Sequence, residues 1–189
     1  MGSSLPGPMG SSLPWPDRHK SVGQNERKKI VMTDDEIVEF IDHSRTATMA
    51  TVLADGRPHL VAMWYAVLDG KIWFETKSRA QKVVNLRRNP QITCMIEDGL
   101  TYDALRGVSI EGNGVIVEDP DEIWKVGVNV FERYNGPYTD EMKPFVEIML
   151  NKRVVVRVDP VRVRSWDHRK LGMDPMPIAG TTAQFLPQQ

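Results

Sequence analysis

The feature that most constrains this chain is a series of short β-type segments punctuated by turns too short to hold a helix. Residues 46–53 (TATMATVL), 58–68 (PHLVAMWYAVL) and 71–76 (KIWFET) are rich in β-branched and aromatic residues. The links between them are ADGR at 54–57 and Asp69-Gly70, the latter a tight hairpin signal. Parallel strands need a crossover of a dozen residues or more, so these three must run antiparallel. Further strands are predicted at 91–97, 107–118 and 152–166. Gly112 and Gly114 mark a bulge or a close backbone approach, and Asp159-Pro160 interrupts the last strand. Helices are few. Thr33 and Glu36 form a capping box and Met32 with Ile37 a hydrophobic staple, opening a helix that carries Ile37, Phe40 and Ile41 on one face. Helical spacing recurs at 79–88, from Asp119-Pro120 to about Tyr134, and at 139–151. This grammar opposes a doubly wound α/β sheet and predicts a mainly β, nearly closed antiparallel barrel with peripheral helices.

The 189 residues amount to about one domain. Residues 1–28 repeat GSSLP and are too rich in Gly, Ser and Pro to offset their own ordering entropy. They read as an arm with Trp15 as its one large anchor, followed by a folded domain over 29–170 and a tail over 171–189. No apolar run approaches the length of a membrane span, and the N-terminus lacks a secretory apolar region. One cysteine, Cys94, excludes an intramolecular disulfide or a Cys-based zinc knuckle and fits a reducing cytoplasm. The net charge of −1 argues against a nucleic-acid partner. Charge is nonetheless segregated: residues 151–170 hold seven Lys or Arg against two Asp.

The most informative stretch is 76–90, TKSRAQKVVNLRRNP, which sets Lys77, Ser78, Arg79 and Lys82 around a strand-to-helix junction. A helix start gathers free N–H groups and positive potential, and Lys and Arg suit a phosphate monoester. The alternative is a solvated basic helix face. Cys94, within ITCMI, reads as a buried small hydrophobe, and His19 and His43 as surface residues. No His/Cys cluster has metal-ligand spacing, and neither glycine-rich nucleotide motif is present. Adjacent aromatics, Trp64-Tyr65 and Trp73-Phe74, point one ring to each face of a strand, mostly as packing. Trp124, Phe131, Tyr134 and Tyr138 are candidates to roof a substrate pocket, helix-face burial being the simpler role for Trp124 and Phe131.

With its helix, its TATMATVLADGRPHLVAMWY and DGKIWFET hairpins and the K-x-x-N-L-R-R-N-P run from Lys82 to Pro90, residues 33–166 resemble the split β-barrel flavin and deazaflavin oxidoreductases. That family includes pyridoxamine-phosphate-oxidase-like proteins and F-420-dependent reductases. The resemblance implies an FMN-binding-type split antiparallel β-barrel that forms a homodimer with the cofactor between subunits. It implies that Lys82 binds the cofactor phosphate, with Arg79 and Lys77 nearby and Ser78 and Thr76 as further donors. Thr51 and the strand Pro58, His59, Leu60, Val61, Ala62 and Met63 would lie along the tricyclic ring, and Trp166 would complete the neighbour's site. Two cofactors fit the family: F-420, with a long anionic tail that the basic residues from Lys152 to Lys170 would meet, and FMN. The implied activity is reduction of a conjugated small-molecule electron acceptor, with an FMN oxidase or a non-catalytic carrier of F-420, FMN or haem as alternatives. No catalytic acid–base pair is assigned.

Overall fold

In a computed structural model, which describes residues 26–178, Thr33 caps the first helix, α1 (Asp34–His43), as its spacing predicts. Its hydroxyl accepts from the Glu36 amide at 3.3 Å, and the Glu36 carboxylate accepts from the Thr33 amide at 2.6 Å. Met32 is buried and Ile37 packs on the same core, completing the staple. Losing such a cap typically costs about 1 kcal/mol, so Thr33→Ala should lower stability by that amount in urea denaturation. Residues 1–25 of the predicted 1–28 arm, with Trp15, and the end of the tail at 179–189 lie outside the described residues, and Glu26–Lys28 form a 3-10 turn.

Seven strands follow in one antiparallel sheet: β1 (Ala47–Val52), β2 (Pro58–Met63), β3 (Ala66–Leu68), β4 (Lys71–Lys77), β5 (Gln91–Asp98), β6 (Arg106–Val117) and β7 (Arg153–Asp167). Their order is β2-β1-β5-β6-β7-β4-β3. The sheet curls into a split barrel, and its two edges, β2 and β3, are consecutive in the chain. The single strand predicted over 58–68 is therefore broken at Trp64-Tyr65, where the chain crosses from one edge to the other. Tyr65 fixes that crossing: its hydroxyl donates to the carbonyls of Ile41 at 2.6 Å and Ser44 at 2.9 Å, and its amide donates to the Tyr134 hydroxyl. Asp69 and Gly70 both take positive φ, 53° and 68°, as a two-residue type I′ hairpin between β3 and β4 requires.

Strand alternation divides the core in two. Met49, Phe74, Ile92, Cys94 and Val156 fill the barrel interior together with Tyr65. Trp73 and Val155 point the other way, under Val126 and Val130 of the helix α3 (Pro120–Asn135). The expected interruption at Asp159-Pro160 is a bulge inside a continuous β7: Gly112 pairs with Pro160 and Glu111 with Arg162, leaving Val161 unopposed. Gly112 is needed there because a Cβ would stand 2.3 Å from the Asp159 carbonyl oxygen. The remaining helices are α2 (Gln81–Arg88) and α4 (Lys143–Leu150). The helix predicted over 139–151 opens instead as a 3-10 turn at Asp140–Met142, and the α-helix begins where Pro144 sits in the first turn.

Candidate functional site

The end of β4, the start of α2 and the end of β1 converge on a small polar cluster. Thr76 closes the buried part of β4, and a tight turn through Ser78 and Arg79 leads to Ala80, the N-cap of α2. Alanine has no side-chain acceptor, so the first turn of α2 is uncapped by any side chain. Lys82 reaches back from that turn and donates to the Thr76 hydroxyl at 3.2 Å. Its ammonium is half-buried and has no carboxylate partner among the described residues. Burial pushes its pKa below the usual lysine value, and the nearby Arg153 charge adds to the effect. Around it, Ser78 donates its amide to the Lys152 carbonyl at 3.0 Å and Lys77 its ammonium to the Asn151 carbonyl at 2.7 Å. Arg79 is exposed and makes no ion pair among the described residues.

Sequence reasoning missed Asn85. This side chain, 0% exposed, donates to the Thr51 hydroxyl at 3.0 Å and accepts from the Gln81 amide at 2.8 Å. It lies three residues from Lys82 and so on the same helix face, which the K-x-x-N spacing contained as a signal. Asn85 locks α2 to β1 and thereby fixes where Lys82 stands. The basic run itself divides by role. Arg88 donates to the Val52 carbonyl and Arg87 pairs with Glu118 at 2.7 Å, so both are structural ties. Among the described residues Lys82 and Arg79 are the cations of this run with neither a carboxylate partner nor a tie to a backbone carbonyl.

β2 forms one wall. His59, Val61 and Met63 are half-buried, while Pro58, Leu60 and Ala62 are exposed, as a strand's alternation requires. Thr51 pairs with His59 and Ala47 with Met63 in the ladder. Among the described residues the outer edge of β2 has no neighbouring strand, which leaves its backbone donors and acceptors available to a ligand. His59 Nδ1 is buried without a hydrogen-bond partner among the described residues. Trp166, by contrast, stands far along β7: it pairs with Gly107, whereas the partner of Thr76 is Val154, twelve positions earlier. Within one chain Trp166 does not join the Lys82 cluster.

The basic surplus expected to form an anion-binding field is largely neutralised inside the chain. Arg153 lies 3.4 Å from Glu75, a carboxyl whose pKa is raised by burial against the opposing pull of Arg153. Arg157 and Lys71 both bind Asp159, at 2.9 and 2.7 Å, and these bonds hold its pKa down at about 2. Arg162 and Arg164 share one strand face, as their spacing predicts, and both engage Glu111. Arg169 pairs with Asp167 at 2.6 Å and Lys170 with Glu36. Of the seven cations only Lys152 has no carboxylate partner among the described residues.

Cys94 is buried inside the barrel, and burial pushes its thiol up to about 12. It should therefore be inert to a disulfide reagent such as dithionitrobenzoate at pH 8 in the native protein and react at once in denaturant. Rapid native labelling would contradict this placement. Among the described residues no group of three or more His, Cys, Asp or Glu side chains is placed to hold a metal ion, and no helix is long and apolar enough to cross a membrane.

Comparison with known proteins agrees with this architecture. The sequence profile of pyridoxamine 5′-phosphate oxidase matches residues 33–167. The F420H(2)-dependent biliverdin reductase of Mycobacterium tuberculosis (strain CDC 1551 / Oshkosh) is 21% identical over 122 residues, covering 62% of this chain and 84% of that protein. Among solved structures, a conserved hypothetical protein from Mycobacterium tuberculosis shares 58% identity with a TM-score of 0.81, covering 84% of this chain and 99% of its own. A structure named F420 reductase shares 26% identity with a TM-score of 0.53, covering 66% of this chain and 93% of its own. The haem storage protein HutZ of Vibrio cholerae, at 22% identity and a TM-score of 0.56 over 71% of this chain and 96% of its own, shares the fold. A family match over residues 33–167, on a seven-stranded antiparallel split barrel, places this chain in the pyridoxamine 5′-phosphate oxidase family of oxidoreductases.

Proposed function

We propose that this protein is an F-420-dependent reductase that acts on a conjugated small-molecule acceptor as a homodimer. The observation that carries the reading is Lys82: a half-buried ammonium without a counter-ion among the described residues, beside the Thr76 hydroxyl and an uncapped helix start. A buried cation lacking its anion is costly unless a ligand supplies one, and a phosphate group fits both the charge and the free N–H groups. His59, with its unpartnered buried nitrogen, and the open edge of β2 fit the polar rim of a tricyclic ring. Two relatives carrying F-420 in their names, the biliverdin reductase and the F420 reductase, support the deazaflavin over FMN.

When bound, reduced F-420 supplies a hydride from its ring carbon 5. The chain's residues would bind and orient. Lys82 holds the phosphate, and the Asn85–Thr51 bond keeps that lysine at a fixed distance from β2. The backbone of Pro58 to Met63 supports the ring. A partner subunit would cover the outward apolar residues Leu60, 62% exposed, and Val161, and bring its own Trp166 toward the site. Charge at the tail of the cofactor would be met by Arg79, Lys77 and Lys152, since the β7 arginines are already paired.

The test is acceptor-dependent oxidation of F-420H2 followed by absorbance over a panel of enones and tetrapyrroles. Turnover with F-420H2 and none with reduced FMN is the expected result. Tight F-420 binding without turnover on any acceptor would make the protein a carrier. Turnover with reduced FMN alone would assign it to the flavin branch.

A further inference from the structure

A cavity of about 550 Å³ lies between α3 and the β3–β4 hairpin. It is on the opposite face of β4 from the Lys82 cluster, because Trp73 lines it while Thr76 and Phe74 point into the barrel. Three aromatic residues form its walls. Trp124 and Tyr138 stand perpendicular at 89°, with ring centroids 6.0 Å apart, and Trp73 contributes a third ring. Three carboxylates share the lining: Asp69, Glu122 and Glu132. Glu122 is paired with Lys125 at 2.6 Å. Glu132 accepts only the Tyr138 amide, and neither it nor Asp69 has a cationic partner among the described residues. Trp73 is 5% exposed, and its indole N–H is a buried donor with no acceptor among the described residues. The ring of Trp73 already holds a cation: the Arg157 guanidinium, bound to Asp159, sits 5.6 Å from its centroid.

We propose that this cavity binds a small organic ammonium of the quaternary alkylammonium class. Aromatic faces present negative quadrupole potential and attract alkylammonium groups, most of all quaternary ones too diffuse to be held by a single carboxylate. Asp69 and Glu132 add unneutralised negative charge at the rim, which rejects anions such as phosphate. Neither the Lys82 cluster nor β2 contributes to this lining, so the site is separate from the one proposed for the cofactor.

Choline and its neutral carbon analogue 3,3-dimethyl-1-butanol have the same shape and differ in charge, which makes them the probes. Isothermal titration of the full chain at constant ionic strength should show saturable choline binding, about tenfold tighter than the alcohol. Glu132→Gln and Trp124→Leu should each weaken choline at least fivefold while F-420 binding stays unchanged. The proposal is overturned by equal affinity for the two probes, by absence of saturation with choline, or by choline affinity that survives both substitutions. Because the probe comparison is made on the unsubstituted protein, poor folding of a variant does not decide the outcome.

Discussion

Lys82→Ala is expected to weaken F-420 binding by about 10- to 100-fold, the loss of one strong charge-assisted contact to phosphate at roughly 1.5–3 kcal/mol. The substitution should not harm the fold. It removes a half-buried ammonium whose only partner is the Thr76 hydroxyl, so thermal stability should hold or rise slightly. Lys82→Arg should restore little, because a planar fork does not fit the space of a compact ammonium packed against Thr76. The lowered pKa of Lys82 adds a pH signature. Phosphate binding needs the protonated amine, so affinity should fall as pH rises, beginning below the usual lysine range, and Lys82→Ala should lose that dependence. For folding the sign is opposite. The native state binds fewer protons than the unfolded chain just below the usual lysine value, so this residue's contribution to stability increases with pH there. F-420 affinity unchanged in Lys82→Ala would remove the phosphate assignment.

The second large effect concerns the split of the barrel. Arg133→Ala should destabilise the protein by about 2–3 kcal/mol in urea denaturation, within the range for breaking a largely buried hydrogen-bond network that leaves backbone carbonyls unpaired, the exposed Asp42 carboxylate adding little. The Arg133 side chain is 9% exposed and binds the Asp42 carboxylate at 2.9 Å. The same guanidinium donates to the carbonyls of Ile41, Asp42 and Ser44 at 3.0–3.2 Å and lies 4.9 Å from the centroid of the Tyr65 ring. It thus joins α3 to the end of α1 and to the segment that crosses between the sheet edges. Tyr65 is clamped below it, its hydroxyl pushed up to about 12 by burial. Arg133→Lys keeps the charge but cannot reach three carbonyls at once, and should recover less than half of the loss. A change under 1 kcal/mol in Arg133→Ala would mean that the crossing is held by Tyr65 alone.

Local signals were the legible ones. The capping box at Thr33, the Asp69-Gly70 turn and the period-two strands each depend on residues within a few positions, and each stands where expected. The break at Trp64-Tyr65 was not legible, because the alternation of 58–68 continues through it and only the closing of the sheet demands a crossing. Trp64 was expected in packing, yet it is more than half exposed and stacks on Tyr134 with ring centroids 4.3 Å apart. The charge pattern misled for a related reason. A count over 151–170 shows seven cations, but the carboxylates that neutralise Arg153, Arg162, Arg164 and Lys170 come from Glu75, Glu111 and Glu36, distant in sequence. Asn85 reads as a polar helix residue facing water until β1 is seen beneath it. Resemblance to a family pointed to this cluster as the proposed cradle; only the packing shows which of its cations lack a counter-ion among the described residues.

The most direct test of the central claim is a pair of binding isotherms, F-420 and FMN side by side, on the unsubstituted protein, on Lys82→Ala and on an Arg162→Gln/Arg164→Gln double variant. The account predicts preferential F-420 binding, lost in Lys82→Ala and retained in the double variant, whose arginines are engaged with Glu111. Preference for FMN, or F-420 affinity that depends on the β7 arginines and not on Lys82, would contradict it.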